Sequence, residues 1–254
     1  MSTLLKKFSN SLRTEGVFKT AGKVVSYPVH SLRQRNFIKN VLPNQSTEDK
    51  FTWIYSTNHW HSNESASGAG STLEYTENLR KELPKLFASL SIKTVFDAPC
   101  GDFNWMQHLL PRVDVEYIGG DIVRPMIESH SEKYKNDKVS FIHINLIEDS
   151  FPKADLMICR DCLFHLSFAD TKSVLKNFVD SGIPYLLTTT HTQPDIENRN
   201  ILTGDFRLID LLSAPYNFPA APLFRIDDWM APEPERQMCL WTRDQVSTAL
   251  STYN

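Results

Sequence analysis

The stretch Thr94-Val95-Phe96-Asp97-Ala98-Pro99-Cys100-Gly101-Asp102 decides how this chain is read. A short apolar run closes on an acid, and Ala98-Pro99-Cys100-Gly101 then breaks it. The rhythm repeats downstream. Val115 to Ile118 ends at Gly119-Gly120-Asp121, Val139 to Ile144 at Asn145, Ala154 to Cys159 at Arg160-Asp161, and Tyr185 to Thr189 leads to His191. Helices are expected between these runs, over Phe103 to Leu110, Met126 to Tyr134 and Thr171 to Val179. Gln237 to Thr242 reads as a further strand, with another candidate at Leu223 to Ile226. Short apolar runs alternating with helices predict an α/β fold: an open sheet of parallel strands with helices on both faces. In such sheets ligands collect at the carboxyl ends of the strands, so function is to be sought at Asp97, Asp121, Asn145, Arg160-Asp161 and His191.

Outward from this core the chain is ordinary in bulk and uneven in charge. Its 254 residues carry a net charge of −3, and 41% are hydrophobic, the balance of a globular protein rather than a low-complexity one. Residues 1–40 hold eight basic side chains against Glu15 alone, so this stretch is +7 and the remainder −10. Leu4, Leu5, Phe8 and Leu12 have helical spacing, so residues 1–50 are expected to form a basic helical extension ahead of a domain over 51–254. Such an extension either packs with its lysines in water or rests on an acidic membrane surface or partner. No apolar run reaches the length of a membrane span, and Met1 to Asn10 does not read as a secretory signal. Four irregularly spaced cysteines fit a reducing compartment, and a cytoplasmic location is expected. The overall acidity argues against a dedicated nucleic-acid binder.

The strand ends exclude some ligands and favour others. Asp97 to Asp102 has neither the GxGxxG spacing of a dinucleotide loop nor the Lys-Ser/Thr of a P-loop. An acid at Asp97 suits a cationic group. Asp121 can hold two ribose hydroxyls, and Asn145 can donate to and accept from an adenine edge. Together they fit an adenosine that bears an amino-acid-like cation. Each also has a purely local reading, as a helix cap or turn. Ser67-Gly68-Ala69-Gly70-Ser71 offers backbone N–H groups that can cup an anion, and is otherwise a linker.

Val95 to Gly101, Tyr117-Ile118-Gly119-Gly120-Asp121 and Ala154 to Asp161 resemble the successive motifs of class I S-adenosylmethionine-dependent methyltransferases. The resemblance covers roughly residues 90–190, with Pro99 and Phe103 standing where that family usually has glycines. It implies the Rossmann-like class I methyltransferase fold, a mostly parallel seven-stranded sheet with helices on both faces, and S-adenosylmethionine as cofactor, with S-adenosylhomocysteine as product. Asp97 and Gly101 would border the methionine part, and Pro99 and Cys100 of the same loop belong to the expected cofactor-binding set. Asp121 would hold the ribose with Ile122 against the adenine, and Asn145 and Leu146 would meet the adenine edge. Ser67, Gly68, Gly70, Ser71 and Arg160 complete the expected cofactor set.

Methyl transfer to a hydroxyl needs a base near the ends of the fourth and fifth strands. His165 and His191 are the candidates, with Asp161 orienting the base or the acceptor. Residues 190–236 form an insertion expected to shape the acceptor site or close it. Asn198, Asp205 and Arg207 from this insertion, together with Trp60, are expected to line a polar acceptor pocket. The Asp-Ala-Pro-Cys-Gly-Asp loop and Arg160-Asp161-Cys162-Leu163-Phe164-His165 further resemble bacterial methyltransferases of surface-polysaccharide (capsule or lipopolysaccharide) synthesis. That likeness implies a sugar, sugar nucleotide or glycan substituent as acceptor. No metal site is assigned: Cys159 and Cys162 are a lone pair, although a divalent ion held by carboxylates needs no fixed spacing. The alternatives are an RNA or protein methyltransferase that uses the basic N-terminus, and a non-catalytic partner subunit of the same fold.

Overall fold

The computed structural model describes residues 37–253. The basic stretch with Leu4, Leu5, Phe8 and Leu12 lies outside the described residues. Phe37–Val41 form a short π-helical turn, and the compact unit that carries the sheet begins at Ser46. Its first helix, α1 (Thr47–Ser56), is capped by Ser46, whose hydroxyl accepts from the Asp49 N–H. A domain boundary at residue 50 would therefore cut a helix. α2 (Glu77–Ser89) follows and buries Leu79, Leu83, Leu86 and Phe87 on one face.

Seven strands then form one sheet: β1 (Thr94–Asp97), β2 (Glu116–Asp121), β3 (Val139–His143), β4 (Leu156–Cys159), β5 (Tyr185–His191), β6 (Phe224–Asp227) and β7 (Arg236–Thr242). Their order is β3-β2-β1-β4-β5-β7-β6. Every pairing is parallel except those of β7, which runs antiparallel to β5 and β6. The chain turns back at β1, whose neighbours are β2 and β4, so the crevice above Asp97 is the switch point where ligands gather. Because β7 is inverted, its first residue, Arg236, pairs with the last of β5, His191, and so reaches the functional edge.

Apolar side chains cover both faces of the sheet. Phe96, Met157 and Leu186 belong to one buried cluster, and Val95, Leu156 and Leu187 to the other. α3 (Met106–Leu109), α4 (Arg124–Tyr134), α5 (Phe168–Ser181) and α6 (Arg243–Ser251) are the remaining helices. α5 shows why: Ser167 caps it, Gly182 ends it at φ 79°, and Thr171, Val174, Leu175 and Phe178 are buried at helical spacing. The helix expected over Phe103 to Leu110 is shorter. Phe103 adopts φ 60° and buries its ring against Tyr117, Tyr134 and Phe141, so regular helix starts only at Met106.

Candidate active site

One cavity of about 400 Å³ opens along the carboxyl ends of β1, β2 and β4. Thr47, Phe51, Ile54 and Tyr55, spaced as one face of α1, cover it from above. Ser67 to Ser71 close a second side, and the segment after β4 a third.

At the β1–β2 side two carboxylates stand at adjacent strand ends. Asp97 is 3% exposed and accepts a hydrogen bond of 2.7 Å from the Tyr117 hydroxyl. No cation forms an ion pair with it among the described residues, and burial pushes its pKa up to about 7. Asp121 accepts from the backbone N–H groups of Gly101 (3.1 Å) and Val123 (3.0 Å), while burial again raises its pKa. Gly101 sits at φ 56°, and a Cβ there would lie 2.3 Å from the Ser67 hydroxyl, so this turn requires glycine. Pro99, Cys100, Ile122, Val123 and Met126 line the same end. Asn145 and Leu146 also face the cavity, but the Asn145 carboxamide oxygen accepts from the Ile147 N–H and closes a local turn.

The Ser67–Ser71 segment is not a loose linker. The Asp102 carboxylate accepts from the Ala66 N–H (2.7 Å) and the Ser65 hydroxyl (3.1 Å), and the Asp102 N–H donates back to the Ser67 hydroxyl (2.8 Å). Asn104 donates to the Ser71 carbonyl, and Arg160 to the Gly70 carbonyl at 2.6 Å. The segment is thus built into the site wall.

Beyond β4 the charges come in pairs. Arg160 grips Asp228 through two parallel bonds of 2.8 and 2.9 Å. Arg236 donates to Asp161 at 2.9 Å, and its guanidinium lies 4.9 Å above the Tyr75 ring. Burial alone would raise the Asp161 pKa, but Arg160 and Arg236 hold it below the usual carboxylate value. Asp161 is therefore a locked counter-ion. Arg160 belongs to this ion network as well as to the cavity wall.

The two candidate histidines separate. His165 lines the cavity; its Nδ1–H donates to the Asp205 carbonyl at 2.8 Å, which leaves Nε2 as an acceptor. Burial lowers its pKa, so the imidazole is neutral at pH 7. His191 is 3% exposed, stands outside the cavity lining, and accepts at Nδ1 from the Ile209 N–H. Burial first, and Arg236 second, depress its pKa to about 4. Its backbone and ring are both hydrogen-bonded to Ile209 of the 190–236 insertion.

The insertion also departs from expectation. Asn198 staples its own loop through the Asp210 and Ala214 carbonyls. Arg207 is buried and donates to the carbonyls of Leu163 and Leu166 and to the Tyr216 hydroxyl. Asp205 contributes its backbone carbonyl to His165. None of these three side chains lines the cavity; Trp60 does, with its ring 4.9 Å from that of His165. Phe206, Tyr75, Trp105, Glu233 and Arg236 line it without having been expected. The place of Arg236, immediately ahead of the apolar terminal strand, is the signal that could have found it. Among the described residues no group of His, Cys, Asp and Glu is arranged to hold a metal, and no helix is long and apolar enough to cross a membrane.

Residues 95–181 match the family model of a methyltransferase domain. The matched stretch runs from β1 to the end of α5 and contains Asp97, Asp121 and Arg160 to His165. No curated protein sequence matches the chain. Among solved structures, an S-adenosylmethionine-dependent methyltransferase of Leishmania major is 13% identical with a TM-score of 0.59, over 84% of this chain and 91% of that one. The Burkholderia thailandensis 1,6-didemethyltoxoflavin-N1-methyltransferase, solved with 1,6-didemethyltoxoflavin and S-adenosylhomocysteine, is 14% identical with a TM-score of 0.54, over 77% and 86%. The magnesium protoporphyrin IX methyltransferase of Synechocystis, solved with S-adenosylhomocysteine, gives 10% and 0.51, over 67% and 84%. At these identities the likeness is one of fold: the sheet is that of the class I methyltransferases.

Proposed function

We propose that the protein is an S-adenosylmethionine-dependent O-methyltransferase acting on a small polar acceptor. One observation carries the cofactor: two buried carboxylates at adjacent strand ends, facing one cavity, with no cation paired to either among the described residues. A buried acid without a counter-ion is costly, and a bound ammonium or sulfonium relieves that cost. Asp97 fits the cationic amino-acid portion. Asp121 keeps free lone pairs for the ribose hydroxyls, and Ile122, Val123 and Met126 give the adenine an apolar bed. The bound structures of the fold neighbours support the same reading.

When bound, the cofactor supplies an electrophilic methyl group. This chain supplies alignment, exclusion of water and removal of a proton. His165 is placed for the last: Nδ1 is tied to the Asp205 carbonyl, so Nε2 takes the acceptor hydroxyl's proton while the imidazole is neutral. Asp161, fixed between two guanidinium groups, steadies the wall opposite rather than accepting a proton.

A sugar, sugar nucleotide or glycan substituent is the narrower reading of the acceptor. It is supported by the sequence resemblance to surface-polysaccharide enzymes, and the acceptors named for the fold neighbours are not sugars. Calorimetry with S-adenosylmethionine, followed by labelled-methyl transfer to sugar nucleotides and sugar phosphates, tests both levels. Saturable binding that Asp121→Asn weakens, with label on an oxygen, is the expected result. No binding by the folded protein overturns the proposal.

A further inference from the structure

The acceptor end of the cavity is aromatic where the sequence led us to expect polarity. Trp60 and Phe206 lie on opposite sides of His165 in the chain and converge on it, with ring centroids 4.9 and 5.8 Å from the imidazole. Phe164 backs both His165 (4.6 Å) and Phe206 (5.4 Å). Trp60 is fixed from behind by the Gly68 turn, where a Cβ would come within 3.2 Å of the Trp60 Cβ. Phe206 is different. It lines the cavity yet remains 44% exposed, a large apolar surface left open beside the candidate base.

The charges nearby do not compete for a ligand. Asp161 is taken by Arg160 and Arg236, and His165 is neutral. Tyr75 and Glu233 also line the cavity, but the side chains that meet the imidazole ring itself are the aromatic rings of Trp60, Phe164 and Phe206. Aromatic faces attract flat or C–H-rich surfaces and do nothing for a flexible polyol.

We infer that Phe206 and Trp60 clamp the apolar face of a hydroxylated six-membered ring and so present one of its hydroxyls to His165. The inference rests on the proposed methyl transfer and narrows its acceptor to a ring alcohol, whether saturated like a hexose or aromatic like a phenol. The two halves of the clamp come from different segments. Trp60 belongs to the built-in wall next to Ser67–Ser71, whereas Phe206 belongs to the insertion after β5.

The experiment measures label transfer by wild type, Phe206→Ala and Phe206→Tyr to a nucleotide-linked hexose, a simple phenol and, as the open-chain control, a hexitol. Saturation-transfer NMR on the same probes reads binding independently of turnover. The clamp predicts transfer to a ring probe and little to hexitol. It also predicts that Phe206→Ala raises the acceptor KM by about 3- to 10-fold, more than it lowers kcat, and that Phe206→Tyr restores it. Saturation should fall on the ring protons of the bound probe and weaken in Phe206→Ala. The hexose and phenol arms tell which ring is meant. An acceptor KM or ring saturation that is the same in wild type and Phe206→Ala overturns the clamp, as does hexitol performing as well as the rings. Those outcomes leave the methyltransferase reading standing, whereas a wild type that binds no cofactor removes that reading itself.

Discussion

The two ends of the cavity use the same residue in opposite ways. Under β1 and β2, Asp97 and Asp121 are buried with only a phenol and backbone N–H groups for partners. Beyond β4, Asp228 is equally enclosed and Asp161 partly so, and each is held by a guanidinium. All four are aspartates near strand ends, so composition does not separate them. Partnership does. A buried carboxylate already matched to a cation belongs to the scaffold, while one left unmatched is poised for a positively charged ligand.

The sharpest way to break this contrast is to test chemistry apart from binding. His165→Ala should lower methyl transfer by about 10²- to 10⁴-fold while the cofactor Kd stays within about two-fold, as single-turnover rates and calorimetry would show. The scaffold end comes next. Arg160→Ala leaves buried Asp228 with only the 3.7 Å ion pair to Arg236 and no guanidinium fork, and should cost about 3–5 kcal/mol of stability, read from denaturant midpoints, whereas Asp97→Asn should not destabilise the protein. Equal losses from both would erase the distinction between the two ends of the cavity. Asp121→Asn should weaken cofactor binding by roughly 10- to 100-fold at unchanged melting temperature, the size expected for hydrogen bonds to a charged group.

Proton linkage sharpens the comparison further. Ionised Asp97 favours a cation and its protonated form does not, so cofactor affinity should be full above pH 7 and decline as pH falls through about 7. Asp97→Asn should flatten that profile. His165 works in the other direction on rate: its neutral form accepts the proton, and burial lowers its pKa. The acid limb of kcat should therefore lie below the ordinary histidine value near 6.5. A limb above that value would remove His165 as the base.

Much of the sheet was legible because buried parallel strands leave continuous apolar runs, and Leu156–Cys159 is buried at every position. The acids at its edge were legible for the same reason, since each run stops on them. Other features carry no such mark. Phe103 looks helical until its left-handed backbone and buried ring are seen. Asn198 and Arg207 are polar residues in an insertion, and nothing in their identity tells a loop staple from a ligand contact. The start of α1 was hidden because the boundary at residue 50 was set without the Thr47, Phe51, Ile54, Tyr55 stripe, whose helical spacing runs across it. Arg236 escaped because only the inverted direction of β7 brings it to the functional edge.

The turn at Gly101 has a consequence for what substitutions this protein tolerates. An alanine there faces two separate penalties, an unfavourable backbone angle and a collision with a hydroxyl that belongs to a residue 34 positions earlier in the chain. Trimming Ser67 to glycine would lift the collision and leave the angle. The damage of the pair should thus be smaller than the sum of the two single changes, a measure of how tightly a hydrogen atom in place of a methyl sets the clearance between distant parts of the backbone.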